Sequence, residues 1–562
     1  MALIDLFHAE PLTVTRATRS VRIDKRDVGE GLTVLDEVMV WRIGETVTVY
    51  DRICDHAGGR LVSRPGNRAA CPLHGWIFDA AAGAYDNGRA VKQPLALIDE
   101  GDAWRVEIET RTPVLPGGDA LPVTVRFLNH ACVVIEGGGV RFATDPWLIG
   151  SAFCDGWWLA RPSPADAFEA LNACDFIYIS HNHPDHLHEE TLARVRRDMP
   201  ILTAGFATGS TERYLRDLGF SDILPAAFGQ AYRHRRAPLS LTVMKSGDFR
   251  DDSGLYLTIG DFSAVLTVDA NFLNFNALPH DIGLLATSFA GGASGFPLCF
   301  DTYDMDEKRR ITTRNRAAIM ASVEAYLKVS RPAAYMPYAG FFTEDEGRDG
   351  FIKANNPKNA PGDYRALAER HGAALVDVQA TPVVRFHGGR MIEAAPDPVV
   401  ARLADEDRSA RQAATARRHA EVSDAEVEAY FTNSGFRGDL ILALAITDDD
   451  FRPEATFRID FREDRPVVSR TDALPDAQAL SRLSGAQVSI LRVRRPALVR
   501  TIREGLPWED LSIGFQARFD RFPNTYEADF WFHFTNVHIA ARARRATADC
   551  GQACRKIEAA IY

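Results

Sequence analysis

The stretch Phe176-Ile-Tyr-Ile-Ser-His-Asn-His-Pro-Asp-His186 combines an apolar strand with a dense set of polar side chains. Its first residues predict a strand covered on both faces, as in the sheet of an α/β layered protein. The strand leads directly into a loop with the pattern HxHxDH, formed by His181, His183, Asp185 and His186. Imidazole and carboxylate ligands suit both iron and zinc, so the loop predicts a catalytic metal site without choosing the metal.

The chain on either side of this loop divides into three predicted units. Strands such as Val123–Leu128 alternate with helical stretches such as Arg314–Val329, which predicts an α/β layered unit over 123–395. Short strands with period-two alternation predict an all-β unit over 1–112, and the Pro- and Gly-rich segment 113–122 is a linker. The remainder, 396–562, is a predicted α+β unit.

The N-terminal unit carries a second set of metal ligands. Cys54-Asp-His56 is followed by Cys71-Pro-Leu-His74. A Rieske [2Fe–2S] centre needs two thiolates for one iron and two imidazoles for the other, and these four residues supply them. Gly75-Trp-Ile-Phe resembles the segment after the second ligand pair in Rieske domains. The alternative is a structural zinc site, because zinc also accepts two Cys and two His.

Composition limits the function classes. The 562 residues contain 65 Lys+Arg against 76 Asp+Glu, a formal net charge of -11, so no basic surface is expected for nucleic acid. The first residues lack a basic segment before an apolar core, and no apolar run approaches the length of a membrane span. We therefore expect a cytoplasmic protein without membrane or nucleic-acid partners, and an oligomer is possible.

The HxHxDH loop resembles the metallo-β-lactamase superfamily, whose αββα sandwich holds one or two metals with these four side chains. The resemblance implies an αββα catalytic unit over 123–395. The resemblance implies that Asp269 takes the place of the bridging aspartate. It implies that Asp252 stands where a third His is usual, although Asp248 or Asp251 could take that role. A carboxylate there moves the ligand set toward the two-His-one-carboxylate set of non-haem iron oxygenases. His130 resembles a site-facing His of the superfamily, with a core histidine as the alternative.

Other segments resemble the CMP-N-acetylneuraminic acid hydroxylase family nearly end to end. They are Asp145–Phe153, Gly156–Trp158, Phe289–Pro297, Pro337–Glu344 and Trp508–Arg518. The resemblance implies a Rieske cluster that feeds electrons to a non-haem iron site, where dioxygen is used to hydroxylate an N-acetyl methyl group. The chain has 8 Lys and 57 Arg among its 65 basic residues, which indicates a bacterial source and leaves the substrate open.

These features predict a monooxygenase that oxygenates an N-acyl or amino group on a nucleotide-sugar, sugar or nucleoside. No flavin or nicotinamide motif is apparent, so we expect an external donor such as a reductase, a ferredoxin or a cytochrome b5-like protein. Backbone N–H groups of a Gly-rich loop and nearby amide or ammonium groups suit substrate binding. The candidate contacts are His130, Ser294, Gly295, Lys353, Asn355 and Asn356. For the Gly-rich loop that contains Ser294 and Gly295, the alternative is a simple turn.

Two other functions remain open at this point. One is a zinc hydrolase for a phosphoester or amide, with the Rieske module as a redox sensor. The other is a pure electron carrier with a degenerate second unit, which the complete ligand loop disfavours.

Overall fold

The computed structural model describes residues 2–55, 61–71, 76–86, 91–115, 117–206, 209–246, 251–270, 273 and 278–538. We call residues 14–113 the N-terminal unit, residues 122–395 the central unit and residues 408–538 the C-terminal unit.

Strands occur in all three units and are numbered in chain order. Up to residue 113 they are β1 (Phe7–Pro11), β2 (Val14–Asp24), β3 (Gly31–Val34), β4 (Val38–Ile43), β5 (Thr46–Asp51), β6 (Val62–Arg64), β7 (Arg68–Ala70), β8 (Ile77–Asp79), β9 (Ala84–Tyr85), β10 (Leu97–Asp99) and β11 (Ala103–Pro113). In the central unit they are β12 (Pro122–Asn129), β13 (Cys132–Gly137), β14 (Val140–Thr144), β15 (Ser151–Ala152), β16 (Trp157–Leu159), β17 (Phe176–Ile179), β18 (Ile201–Ala204), β19 (Ile223–Ala226), β20 (Gln230–His234), β21 (Leu239–Lys245), β22 (Ser253–Ile259), β23 (Phe262–Leu266), β24 (Leu284–Thr287), β25 (Ala334–Pro337), β26 (Phe342–Thr343), β27 (Ala374–Leu375), β28 (Val383–His387) and β29 (Arg390–Ala395). In the C-terminal unit they are β30 (Leu440–Thr447), β31 (Pro453–Asp460), β32 (Val467–Thr471), β33 (Gln487–Arg494) and β34 (Ala517–Phe522).

The α-helices of the described residues are numbered in the same way. They are α1 (Leu3–Leu6), α2 (Ala167–Asn172), α3 (Glu189–Leu192), α4 (Ser210–Asp217), α5 (Met305–Ser330), α6 (Glu346–Asn355), α7 (Arg365–Arg370), α8 (Arg408–Arg418), α9 (Asp424–Thr432), α10 (Ala477–Ser484), α11 (Arg495–Glu504), α12 (Trp508–Ile513) and α13 (Ala528–Phe532). Short 3₁₀ helices span Lys25–Asp27 and Pro361–Tyr364, and a π-helical turn spans His533–Val537. No helix in the described parts of the chain is long and apolar enough to cross a membrane.

The central unit is a layered sandwich. Each of its two sheets has eight described strands, in the orders β1-β20-β21-β22-β23-β24-β25-β27 and β19-β18-β17-β14-β13-β12-β28-β29. Apolar side chains from both sheets share one core, which includes Val125 and Tyr178 on one side and Leu257 on the other. Helices α2 and α4 pack on the outer face of the second sheet, and α5 packs against the first. These layers confirm the predicted αββα class.

The flanking units are smaller. The N-terminal unit contains the described sheets β10-β11-β2, β3-β4-β5 and β6-β7-β8-β9, in agreement with the predicted all-β class. The C-terminal unit is a mixed sheet of five described strands, ordered β32-β31-β30-β33-β34, with helices beside it. Its central strand β30 is buried along its whole length, as its continuous apolar sequence predicts.

The start of the chain departs from the prediction that residues 1–112 form one unit. Strand β1 pairs antiparallel with β20, from Phe7 opposite His234 to Pro11 opposite Gln230. The ring of Phe7 packs against Phe176 of the other sheet. Pairing of this strand with an open sheet edge, together with burial of Phe7, joins the first residues to the central unit. The chain then enters the N-terminal unit and returns at β12.

Candidate metal centre

The predicted ligands lie at one edge of the central sandwich because several strands end there. β14 and β17 run parallel, so their carboxyl ends meet at this edge. β17 is buried throughout and delivers the loop that starts at His181. His130 follows β12 and Asp145 follows β14, and both have positive φ, of 45° and 35°. Left-handed backbone at non-glycine residues is costly and clusters at functional sites.

One group of candidate ligands is His181, His183 and Asp252, all buried. His181 Nε2 lies 2.9 Å from His183 Nδ1 and 3.9 Å from Asp252 Oδ1. Of the three aspartates considered for the third position, Asp252 is the one placed in this group. Asp251 is buried outside the ligand groups found among the described residues, and Asp248 lies outside the described residues.

A second group is His130, Asp185 and His186. His130 Nε2 lies 3.1 Å from Asp185 Oδ2, and His186 Nε2 lies 3.3 Å from the same oxygen. Asp269 Oδ2 is 3.3 Å from His186 Nε2, and Asp269 also groups with His181, so its carboxylate lies between the two sets. The three groups share His181 and His186, so the candidate ligands form one continuous cluster. His130, predicted as a substrate contact, sits among the candidate ligands.

The carboxylates give the pocket a strongly negative field. Burial disfavours a charged imidazole, but Asp185, Asp269 and Asp145 outweigh burial and raise the pKa of His186 well above its usual value. Burial likewise opposes charge on Asp185, but His186 and His130 hold the pKa of this carboxyl well below its usual range. This balance favours positive charge inside the pocket, and a metal cation supplies such charge.

Several buried polar atoms at the site fit a bound metal. Asp185 Oδ1 is buried and has no hydrogen-bond partner within the described part of the chain. His186 Nε2 is also buried, and its carboxylate neighbours at 3.3 Å lie outside hydrogen-bond geometry. A buried carboxylate or imidazole atom without a partner is costly, and a metal ion would satisfy both atoms. His and carboxylate donors in this arrangement fit non-haem iron as well as zinc.

Side chains behind the ligands hold the imidazole rings in place. Ser180 Oγ lies 2.9 Å from His181 Nδ1, and Asp145 Oδ2 lies 3.3 Å from His186 Nδ1. On the C-terminal unit, Glu509 Oε2 lies 3.5 Å from His183 Nε2. Partners of this kind fix the tautomer and orientation of metal-binding histidines.

An aromatic wall lines the site. Trp147 packs edge-on against His130 with ring centroids 5.1 Å apart, and Phe153 packs edge-on against His183 at 5.8 Å. Trp157 packs against Phe153 and, on its other side, stacks on the ring of Phe342. These apolar rings restrict water around the polar cluster and strengthen its electrostatic interactions.

The predicted cluster ligands of the N-terminal unit are described in part. Cys54 and Cys71 are fully buried, while His56 and His74 lie outside the described residues. Tyr85 donates its hydroxyl hydrogen to Asp55 Oδ2 at 2.8 Å, next to Cys54. Two buried sulfur ligands in an aromatic environment fit an iron–sulfur cluster.

The remaining predicted substrate contacts are engaged in the fold. Asn356 Nδ2 donates to Gly292 O at 3.0 Å and to Glu344 Oε1 at 2.9 Å. Asn355 donates to Phe351 O in its own helix, and Lys353 pairs with exposed Glu346. Ser294 Oγ accepts a hydrogen bond from the N–H of Phe296, and Gly295 is close to Ser512 O. These contacts give the residues structural roles, and substrate binding by them stays a prediction.

Sequence reasoning did not single out Asp145 or Glu509. Both lie in segments that resemble the hydroxylase family, Asp145–Phe153 and Trp508–Arg518. An acidic residue directly after a buried strand was a usable signal for Asp145. Glu509 offered no local signal, because its proximity to His183 arises only from the packing of the C-terminal unit against the central unit.

Comparison with known proteins identifies two domains in the chain and finds similar hydroxylases that match most of its length. A Rieske [2Fe-2S] domain matches residues 14–107, and a Beta-lactamase superfamily domain matches residues 124–248. Over 557 residues the chain is 29% identical to the cytidine monophosphate-N-acetylneuraminic acid hydroxylase of Xenopus laevis, covering 90% of each chain. The chain is a homologue of these hydroxylases. The hydroxylase of Mus musculus is 27% identical over 545 residues, which cover 89% of this homologue and 90% of the mouse protein.

The matched domains confirm two of the predictions for this hydroxylase homologue. The Rieske match includes Cys54, His56, Cys71 and His74, so the cofactor prediction of a [2Fe–2S] cluster is confirmed at the level of the domain. The second match contains the HxHxDH loop. Among solved structures, CmlA, a diiron beta-hydroxylase from Streptomyces venezuelae, is 17% identical with a TM-score of 0.30, over 47% of this chain and 53% of that chain.

Proposed function

We propose that the protein is a Rieske-type non-haem iron monooxygenase. It uses dioxygen and externally supplied electrons to oxygenate an N-acyl or amino group on a nucleotide-sugar, sugar or nucleoside. The observation that carries the proposal is the presence, in one chain related end to end to hydroxylases, of a Rieske domain and a buried His and carboxylate cluster. Hydrolysis needs no electrons, whereas reductive use of dioxygen does.

The geometry supports an assignment of residues to each centre. Cys54, His56, Cys71 and His74 would hold the [2Fe–2S] cluster. The catalytic ligand set is His181, His183 and Asp252 on one side and His130, Asp185 and His186 on the other, with Asp269 between them. When bound, iron at these ligands would supply the oxygen chemistry and the Rieske cluster would supply single electrons.

The protein itself supplies orientation and a dry environment. Ser180, Asp145 and Glu509 position the three histidines of the loop, and Trp147 and Phe153 cover the cluster with apolar surface. Exclusion of water limits unproductive loss of reactive oxygen species and protons.

The electron donor is external in this proposal. A reductase, ferredoxin or cytochrome b5-like protein would deliver one electron at a time to the Rieske cluster. Such donors work in the cytoplasm, which is the compartment we propose for this protein.

The first test is metal analysis with electron paramagnetic resonance on protein purified without oxygen. We expect more than two irons per chain, little zinc, and a Rieske signal that appears on reduction with dithionite. Oxygen uptake with a reducing system should then depend on substrate, starting with CMP-sialic acid and continuing with amino- and N-acetyl-nucleosides. Stoichiometric zinc together with turnover in the absence of dioxygen would contradict the proposal and select a hydrolase.

Asp185→Ala tests the catalytic ligand set. Loss of this carboxylate should lower oxygen-dependent turnover by more than about 100-fold and reduce iron loading, while the Rieske signal stays intact. Asp198→Ala is the matched control, because Asp198 is an exposed aspartate of the same unit that pairs with Arg196. Full turnover by Asp185→Ala would show that Asp185 is not a catalytic metal ligand.

A further inference from the structure

The C-terminal unit contributes a side chain to the metal site of the central unit. Helix α12 carries buried Trp508, Asp510 and Leu511 and places Glu509 toward the HxHxDH loop. Glu509 Oε2 lies 3.5 Å from His183 Nε2, and the Glu509 side chain is 20% exposed. This contact connects two units that lie far apart in sequence.

The two nitrogens of His183 face different partners. Nδ1 lies 2.9 Å from His181 Nε2, on the side where the candidate ligands converge. Nε2 faces Glu509 on the other side. With Nδ1 directed to the metal, Nε2 carries the hydrogen and faces the carboxylate. A metal-binding histidine commonly donates its second ring N–H to a carboxylate in this way.

Glu509 is outside the set of direct ligands. The ligand groups found among the described residues contain His183 and Asp252 but not Glu509. Its carboxylate therefore acts on the metal through the imidazole. A negative charge at Nε2 raises the basicity of the ring and fixes its orientation.

Close backbone packing holds α12 in position. Trp157 Nε1 donates to Ile513 O at 2.9 Å, which ties the end of the helix to the central unit. A Cβ on Gly514 would overlap the carbonyl oxygen of Phe153, and one on Gly156 would overlap Gly514 O. Phe153 in turn packs against His183. The same contact surface therefore fixes both the ring of His183 and the helix that bears Glu509.

We infer that Glu509 is a positioning residue for the catalytic metal, and that the C-terminal unit completes the metal site through it. Glu509 accepts the N–H of His183 and sets the tautomer and tilt of this ligand. The inference rests on the metal site of the proposed function and not on its reaction. It gives the C-terminal unit a defined task at the site.

Metal affinity of the full chain tests this inference directly. The catalytic metal is removed with a chelator under anaerobic conditions that retain the oxidised Rieske cluster, and Mn²⁺ is titrated in while its free signal is followed by electron paramagnetic resonance. Glu509→Gln should weaken Mn²⁺ binding by about 10- to 100-fold and change the zero-field splitting of the bound ion. Glu509→Asp, which keeps the carboxylate, should recover part of the affinity.

Glu428→Gln is the control, because Glu428 is an exposed glutamate of the same unit, in helix α9. Equal affinity and equal spectra for Glu509→Gln and Glu428→Gln would overturn the inference. So would equal losses in Glu509→Gln and Glu509→Asp accompanied by a lower melting temperature of the metal-free protein, since that pattern indicates packing alone. Mn²⁺ binding needs no dioxygen, electrons or substrate. The affinity measurement therefore tests the role of Glu509 even if the oxygenase proposal fails.

Discussion

His533 is a buried histidine that folding keeps neutral. Burial lowers its pKa to about 3, and nearby His538 also disfavours the charge, although Ser434 O accepts a hydrogen bond from Nε2 at 2.8 Å. The unfolded chain takes up a proton near the ordinary histidine pKa of about 6.5. Between these values the unfolded state binds more protons than the folded state, so folding stability falls as the pH falls.

The pH dependence of unfolding tests the role of His533. Above about pH 6.5 the ring is neutral in both the folded and the unfolded state, and folding stability does not depend on it. Below that pH the free energy of unfolding should fall by about 1.4 kcal/mol per pH unit down to about pH 3. His533→Gln keeps a donor for Ser434 O but does not titrate, so its melting temperature should depend less on pH in this range. His387→Gln, at an exposed histidine, is the control. Identical slopes for wild type and His533→Gln would contradict the prediction.

The candidate site was predictable where the ligands are local in sequence. His181, His183, Asp185 and His186 fall within six consecutive positions, and the apolar strand before them requires that they leave the sheet at one edge. Asp252 was one of three neighbouring aspartates, and only the start of β22 at Ser253 decides which of them faces the histidines. The site role of His130 depends on a backbone conformation that sequence patterns do not reveal.

At the scale of elements, the loop before β16 holds three consecutive residues in the left-handed region. Phe153, Cys154 and Asp155 all have positive φ, between 51° and 61°. Arg348 Nη2 donates to Asp155 O at 2.6 Å, and Arg411 Nε donates to Asp155 Oδ1 at 2.9 Å. These charged donors, together with α12, hold a conformation that a free loop would not keep.

Gly514→Ala tests how tightly α12 is docked on this loop. The added methyl group would overlap Phe153 O, so the helix and loop have to separate, and we expect a loss of about 1–3 kcal/mol in stability with weaker metal binding. Gly350→Ala is the control, because a Cβ there has nothing within 4 Å. A melting temperature and metal affinity as high as those of the control would show that the contact is not tight.

Helix and strand positions were predicted best where a whole segment keeps one pattern, either apolar throughout or with helical periodicity. The apolar run Leu440–Ile446 becomes β30 (Leu440–Thr447), and the periodic stretch Arg314–Val329 lies inside α5 (Met305–Ser330). The pairing of β1 with β20 was not predictable, because it joins segments more than two hundred residues apart through a sheet edge. Such contacts depend on the assembled sandwich and leave no periodic signal.

At the scale of the whole molecule, one apolar cluster runs through all three units. It contains Cys54 and Cys71 of the N-terminal unit, Trp147 and Phe153 beside the metal site, and Trp508 of the C-terminal unit. A continuous packed core of this kind fixes the units relative to one another. We therefore expect electrons to pass from the Rieske centre to the metal site within one chain.

Complementation between two inactive variants tests this expectation. Cys71→Ser lacks the Rieske centre and Asp185→Ala lacks a catalytic ligand, so a mixture of the two should stay inactive if transfer is intramolecular. Mixing either variant with wild type is the control and should give activity in proportion to the wild-type chains. Recovery of turnover in the mixture of variants would indicate transfer between neighbouring subunits.

The pairing of β1 with β20 makes the Rieske module an insertion in topological terms rather than an appendage at the front of the chain. Removal of every residue before β12 would strip a strand from the catalytic sheet and leave β20 as an unprotected, aggregation-prone edge. A chimaera that replaces the module needs its junctions after β1 and before β12, so that β1 stays paired with β20 in the catalytic sheet. Because both ends of the module are joined to the central unit, the module cannot reorient as freely as a domain on a single linker.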